Sequence, residues 1–282
     1  MTMMVRIGIP ASFRRFSAVA VEMEAPMLVS ANALRRRGRG FSRPRLDMFS
    51  GGDVALDSAG FVAMVRYKGY PWTVADYVEL AAAYPWAWWA QMDFCCEPQV
   101  ASDRAEVRRR QDLTAEHLRL CREAASMRGI VAPMPVIQGW QPDDYRRSVD
   151  LLSEMAPLLG VGSVCRRPID GKTGLIQVIK AIDGALPRGV RLHLFGVKGT
   201  AIEHLTGHPR IASVDSMAWD YAARREKGDA SCSMPYRIGH MRRWYSNQRR
   251  PRRDNLFTRI AMDGAAGNNR AEWWPVLARP AA

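Results

Sequence analysis

From about residue 54 to 225, short apolar runs alternate with amphipathic stretches, and this alternation limits the fold more than any other property of the chain. Thr73 and Asp76 stand in capping-box spacing at the head of TVADYVELAAA, which predicts a helix over 73–83. The apolar and aromatic run WAWWAQMDF (86–94) reads as a strand that ends at an acid. The clearest helix spans 103–127, with Asp103 and Glu106 at its start and Val107, Leu113, Leu118, Cys121 and Ala125 as an approximate apolar stripe. Further strands are expected at 134–139, 160–164, 190–196 and 211–216, and helices over 143–159, 175–186 and around 201–205. Strand followed by helix, repeated, means a parallel sheet with crossover helices. At 282 residues the expected class is α/β and the leading architecture a (β/α)8 TIM-type barrel, with an open doubly wound sheet as the alternative. The barrel domain is assigned to 1–225. Residues 226–282, polar, Gly- and Arg-rich and poorly periodic, are assigned to a basic C-terminal extension, packed on the barrel or partly mobile.

Charge restricts the partner. The formal net charge is +13, which favours a polyanion, most simply nucleic acid. The excess is clustered. RRRGRGFSRPR (35–45) holds six arginines and no acid, among them Arg35, Arg36 and Arg37. RRWYSNQRRPRR (242–253) holds six more, among them Arg242, Arg243, Arg249 and Arg250, interleaved with Trp244 and Tyr245. Guanidinium groups grip phosphate by paired bonds, and interleaved aromatic rings stack on bases. No run of 18 or more apolar residues exists, and neither basic cluster has an amphipathic apolar face, so no membrane partner is expected. No secretion signal is recognised, and five cysteines, an odd number, suit a reducing cytoplasm rather than a disulfide framework.

In a barrel the chemistry sits at the C-terminal ends of the strands. The polar residues that end or follow the expected strands are Asp57, Asp93, Gln138, Gly162 with Ser163, and Asp215. Three carboxylates and an amide would thus meet at one mouth, a costly grouping unless solvated or used. Gly139, Gly160, Gly162, Gly196 and Gly199 permit close backbone approach to a flat ligand, and Phe61 and Phe195 are placed to sandwich a ring. Zinc-type Cys/His spacing, a P-loop and a helix-opening GxGxxG are all absent, so no metal and no cofactor is expected. Cys165 and the histidines 117, 193, 204, 208 and 240 form no recognisable nucleophile–base constellation.

The ordered series of segments resembles the queuine/archaeosine tRNA-guanine transglycosylase family. LDSAGF (56–61) is similar to its DSGGF/Y motif, MDFCCEP (92–98) to FDECTP, VIQGW (136–140) to the QQG element, and GVGSV (160–164) to the GGLAVG loop. LHLFGVKGT (192–200) resembles YLMGVGKP, and IASVDSMAWD (211–220) resembles the segment that carries the nucleophile. LVSANAL (28–34) corresponds to ILGNTYHL and places Asn32 near the site. The resemblance implies that Asp215 attacks C1′ of the target nucleotide and that Asp57 is the general acid/base. It implies that Asp93 reads the N1 and exocyclic-amine edge of guanine, and that Gln138 with Gly139, Gly162 and Ser163 lines the O6 side. Phe61 and Phe195 would stack on the base, with Ser58 beside them. The family's CxCxxC zinc subdomain is missing and the chain is compact and basic, so it looks more like the phage and bacterial DNA deazapurine transglycosylases. The expected reaction is exchange of guanine in DNA for a 7-deazaguanine such as 7-cyano-7-deazaguanine. The expected partners are DNA and the free base, with Arg166, Arg167 and the two arginine runs on phosphate. The alternatives are tRNA as the polymer, or a non-catalytic nucleic-acid-binding barrel subunit. Oligomeric state is not legible.

Overall fold

The computed structural model describes residues 3–10, 13–36, 40–49, 51–165 and 167–249. The chain opens with a βαβ unit that periodicity did not mark: β1 (Met4–Ile9), α1 (Phe13–Glu22) and β2 (Met27–Ser30), followed by the single turn α2 (Ala31–Leu34). β3 (Val54–Asp57) leads into α3 (Gly60–Val62), which continues as a π-helical turn over Ala63–Tyr67. Then come α4 (Val74–Ala82), α5 (Arg104–Arg128), β4 (Val136–Ile137), α6 (Pro142–Asp150), β5 (Leu158–Val161) and α7 (Leu175–Ala185). β6 (Arg191–Leu194), α8 (Gly199–Leu205), β7 (Ile211–Ser216), α9 (Ala218–Lys227) and α10 (Met234–Gln248) complete the described chain.

The seven strands form one curled sheet in the order β3-β2-β1-β7-β6-β5-β4, every pairing parallel. Its two edge strands are both bonded to the segment 87–91. Ala87 and Ala90 donate to the Val54 and Leu56 carbonyls, and Leu56 donates to Trp88. On the other side Met134 donates to Trp89, and Gln91 donates to Met134. The expected strand over 86–94 is therefore reduced to isolated parallel bridges at Trp89 and Ala90.

Local chemistry explains most elements. Thr73 caps α4 in a reciprocal box with Asp76, and Asp103 caps α5 through the Glu106 amide, as the spacing predicts. The buried face of α5 is Val107, Gln111, Thr114, Leu118, Cys121 and Ala125, whereas Leu113 is only half-buried. The expected helix over 143–159 stops at Asp150, and Leu158 and Leu159 belong to β5. Pro157 bars a helix from running on into β5, and its carbonyl accepts the Arg191 amide at the start of the β5–β6 pairing.

Side chains alternate across the sheet. Ile7, Ile9, Met27, Val29, Val54 and Leu56 join Phe16, Tyr77, Cys121 and Trp219 in one core layer beneath the helices. Leu159, Val161, Leu192, Leu194, Ile211 and Val214 pack with α7 in another. The inner face holds Ala90, Met134 and Val136, with Trp88, Leu158 and Phe195 packed on them. One irregularity sets the inner face near β7. Leu192 pairs with Ile211 but His193 pairs with Ser213, so Ala212 is an extra residue in β7. Without this bulge the alternation from Ile211 would turn Asp215 toward the helices; with it, Ser213 and Asp215 share the inner face while Ile211 and Val214 stay in the outer core.

Residues after 226 include an ordered helix. α10 packs along α9, with Met241 and Tyr245 in the core beside Phe16 and Trp219. Arg237 donates to Asp220 at 2.6 Å in a buried pair and lies over the Phe16 ring. The basic run read at 242–253 thus begins inside a packed helix; residues 250–282 lie outside the described residues. No described helix is long and apolar enough to cross a membrane. Met241 is fully buried, so Met241→Ala is expected to cost about 2–5 kcal/mol in urea unfolding. A cost below about 0.5 kcal/mol, the range of ordinary surface substitutions, would show that α10 is not part of the cooperative unit.

Candidate active site

A parallel sheet brings the C-terminal ends of all its strands to one rim, and the predicted polar residues meet there. Asp57 ends β3, Asp93 follows the bridging segment, Gln138 follows β4, Gly162 and Ser163 follow β5, Phe195 follows β6, and Asp215 lies near the end of β7.

Asp93 is the hub of one side. Its Oδ1 accepts the Ser58 hydroxyl at 2.7 Å, and its Oδ2 accepts the Gln138 amide. The Gln138 Oε1 accepts Ser163 Oγ at 2.6 Å, and that oxygen also receives the Cys96 amide at 2.7 Å. Ser163 reaches this position with φ of 55°, in the left-handed region that non-glycine residues rarely occupy. Two glycines make room for the chain of bonds. A Cβ on Gly60 would lie 2.6 Å from the Asp93 carboxylate, and one on Gly162 would lie 2.0 Å from the Gln138 amide. Burial raises the Asp93 pKa, while the bonds from Ser58 and Gln138 oppose that rise.

Asp57 is held differently. Its Oδ2 accepts the amide of Ala59, itself in a left-handed turn at φ 68°. Burial, reinforced by the charges of Asp93 and then Asp215, pushes its carboxyl from 3.8 up to about 8. At neutral pH Asp57 therefore carries a proton. Asp215 Oδ1 accepts the Gly196 amide at 2.8 Å, and Val197 donates to the Asp215 carbonyl, which ties the β6 end to the β7 end. Gly196 makes that turn at φ 63°.

The other predicted residues are placed as follows. Phe195 is half-buried, edge-on to His193 at 4.7 Å, and its Cε2 would lie 2.6 Å from a Cβ on Gly160. Phe61 is half-buried at the start of α3, next to Gly60. Asn32 lies on α2 and accepts the Tyr67 hydroxyl at 3.1 Å. Gly139 has a packing reason of its own: a Cβ there would meet the Asp144 Cβ at 2.6 Å, where α6 begins. Arg35 lies over the Tyr67 ring at 4.7 Å, and exposed Arg36 bonds Ser42. Exposed Arg242 pairs with Glu22 at 2.5 Å, exposed Arg249 lies beside Tyr245, and Arg243 is exposed. Arg37, Arg166 and Arg250 lie outside the described residues.

Two expectations are corrected. Arg167 does not face solvent. It is 2 % exposed, and its guanidinium donates to the carbonyls of Ser163, Thr173 and Gly139 and to the Tyr145 hydroxyl, with Trp140 stacked on it at 4.2 Å. It clamps the loop after β5 instead of reaching phosphate. Tyr245 is buried in the core and the half-buried Trp244 packs against Gly199, so neither is an open stacking platform.

Sequence reasoning missed the supports of the rim. The Tyr70 hydroxyl donates to the Asp93 carbonyl, accepts the Asp93 amide, and lies 3.0 Å from Ser58 Oγ. Gln111 donates to the Gln138 carbonyl, and Thr114 Oγ1 accepts the Phe94 amide. These polar residues on the α5 stripe were the available signal. His193, set aside with the other histidines, is fully buried on the inner face between Ser213 and Asp215. Among the described residues no group of three or more His, Cys, Asp or Glu side chains is placed to hold a metal ion.

The family model for DpdA, described as DeoxyPurine in DNA protein A, matches residues 21–255. No curated protein matches the chain.

The folded chain keeps a proton on Asp57 up to about pH 8 that the unfolded chain releases near 3.8, so this carboxyl subtracts stability as pH rises through that window. Asp57→Asn, which has no proton to lose, is expected to match the wild-type melting temperature near pH 4 and to exceed it by a growing margin toward pH 8. A difference that stays constant across the window would remove the raised carboxyl.

Proposed function

This chain belongs to the DpdA family, a tRNA-guanine transglycosylase-like family of DNA deazapurine modification, and from that premise we propose that it exchanges guanine in DNA for a 7-deazaguanine base through a covalent Asp215 intermediate. The observation that carries the reading is the trio of carboxylates Asp57, Asp93 and Asp215 at the strand ends of one rim, where burial and the other two charges push the Asp57 carboxyl up to about 8.

The chemistry follows from that division of labour. Asp215 Oδ attacks C1′ of the target deoxyguanosine, the C1′–N9 bond breaks, and its electron pair goes to N9. Asp57 gives its proton to the departing guanine and becomes a carboxylate. The incoming 7-deazaguanine then loses its N9 proton to Asp57, N9 attacks C1′, and the ester to Asp215 breaks, restoring both carboxyl groups to their starting states. Asp93 and Gln138 present an acceptor and an amide to the base edge, Ser58 and Ser163 orient them, Gly162 admits the base, and Phe61 and Phe195 flank its faces. The base must leave its stack to enter, and a target already unpaired enters at lower cost.

Asp93 and Gln138 are bonded to each other here. A guanine-type base, offering donors to one and an acceptor edge to the other, replaces that bond with two of its own. This supports a purine with a guanine edge over adenine. Arg35, Arg36, Arg242, Arg243 and Arg249, with Arg37, Arg166 and Arg250, are assigned to the DNA backbone; the net charge of +13 supports that assignment. Residues 87–91, bonded to both edges of the sheet, are read as the eighth position of a (β/α)8 barrel, with 1–225 as the barrel domain and 226–282 as its basic extension. We place the protein in the cytoplasm, or the host cytoplasm if it is of phage origin, without a cofactor. tRNA is the alternative polymer.

Purified protein given labelled guanine or 7-cyano-7-deazaguanine is expected to incorporate it into DNA and not into tRNA offered in parallel. Incorporation into tRNA alone would overturn the polymer, and incorporation into neither would overturn the reaction. Asp215→Asn is expected to lower exchange by about 10⁴-fold or more with DNA affinity within about twofold, since phosphate contacts carry most affinity. Exchange at the wild-type rate would remove Asp215 as nucleophile. Asp93→Ala is expected to raise KM for the base and weaken the preference for guanine-type bases; unchanged preference would remove the edge-reading role.

A further inference from the structure

The inner face holds a histidine that the reaction above does not use. His193 lies on β6 directly opposite Ser213 on β7; Ser213 and Asp215, two residues apart, share one side of the strand, and the Ala212 bulge makes that side the inner face. The imidazole spans the gap between them. Its Nδ1 is 2.8 Å from Ser213 Oγ, and its Nε2 is 3.4 Å from Asp215 Oδ1. Trp88 and Phe195 hold the ring from two sides, each with its centroid 4.7 Å away. The side chain is fully buried, and Nε2 has no hydrogen-bond partner at its present geometry. Leaving a buried nitrogen without a partner is costly, and a short movement toward Asp215 would relieve that cost. Hydrogen bonds of this kind are often long in a free enzyme and tighten when the reactants bind.

We infer that His193 is a positioning residue for Asp215: the Ser213 hydroxyl donates to Nδ1, fixing the proton on Nε2, and Nε2–H aims the Asp215 carboxylate at the sugar. The inference rests on the proposed role of Asp215. Geometry favours this proton arrangement, because an Nδ1–H imidazole would present an Nε2 lone pair to a carboxylate oxygen. Burial also depresses the His193 pKa, which keeps the ring neutral. The charged groups that face it are Arg6 from β1, which opposes its protonation, and Asp215 from β7, which favours it. The Gly196 amide, the other donor to Oδ1, comes from the turn after the same strand. β6 and the turn that follows it thus supply both groups that orient the Asp215 side chain. Phe195, between them in sequence, is the residue assigned to stack on the base, so base binding and carboxylate aim are coupled through one short segment.

The test has a part that needs no activity. Nitrogen NMR of the imidazoles is expected to show His193 as the Nε2–H tautomer, without titration through the neutral range. Asp215→Asn is expected to move its Nε2–H signal, and Ser213→Ala to populate the other tautomer. An Nδ1–H tautomer in the wild type, or an Nε2 signal indifferent to Asp215→Asn, would overturn the inference. In the exchange assay, His193→Phe is expected to lower kcat and the trapped DNA adduct by about 10²-fold, with KM for the base unchanged. His193→Gln, whose amide nitrogen reaches the same place, is expected to recover activity to within about tenfold. Equal losses in the Phe and Gln variants, or a loss confined to KM, would leave His193 a packing residue. Should His193→Phe fail to fold, Ser213→Ala carries the kinetic comparison, with a smaller fall in kcat and a changed pH profile. A wild-type protein with no exchange activity would defeat the proposed reaction, and the NMR comparison would still decide the role of His193.

Discussion

Three carboxyl groups share one rim of a parallel sheet, and keeping them together at neutral pH shapes what surrounds them. Like charges at close range in a partly buried site repel strongly, so each group needs its own relief. Asp93 receives two side-chain donors, Ser58 and Gln138, and its backbone is held by Tyr70. Asp215 receives the Gly196 amide and faces the His193 Nε2. Asp57 has one backbone donor and relieves the repulsion by keeping its proton up to about pH 8. The three solutions are different, and the differences match the three roles proposed for them.

The parallel sheet that creates the rim was legible because crossover helices impose a regular alternation on the sequence. What escaped were places where another force overrode the pattern. β2 has only four residues, and in β1 MVRIGI puts Arg6 at an inner-face position, where it pairs with Asp53 and lies over Trp88, so the run does not look like a buried strand. Residues 86–94 are apolar enough for a strand, but their backbone alternates between two partners and makes only isolated bridges. In β7 the two outer-core residues, Ile211 and Val214, stand three apart, which period-two alternation cannot produce. That spacing was the visible trace of the bulge. It places Asp215 on the inner face with Ser213, the residue opposite His193.

Arginine runs were the least reliable guide. Composition reports charge but not where a guanidinium ends. Arg167 lies next to the loop that was expected to meet phosphate, yet a buried guanidinium with four acceptors has little left to offer a ligand. Arg237 is likewise spent inside, on Asp220. The aromatic residues of the second run fall on a helix that packs with them: Tyr245 meets the core together with Met241, four residues before it, and Trp244 packs against it partly buried. Long basic side chains can cover apolar surface, so a charge run and a packed helix are compatible readings of the same residues.

The proton on Asp57 bears on reversibility. Base exchange runs the same bond change twice in opposite directions, so one group must give a proton to N9 and later take one from N9. A carboxyl near its solution value would do the second well and the first poorly; one raised far above neutrality would do the reverse. A group that titrates close to the working pH serves both halves at comparable rates. In this site that balance comes first from burial and then from the charges of Asp93 and Asp215, and both neighbours must be present for the base to be read and the sugar to be held. Removing either therefore changes more than its own contact. It lets Asp57 ionise at lower pH and weakens the first half of the exchange, so the kinetic effects of the three carboxylates should be coupled and not additive.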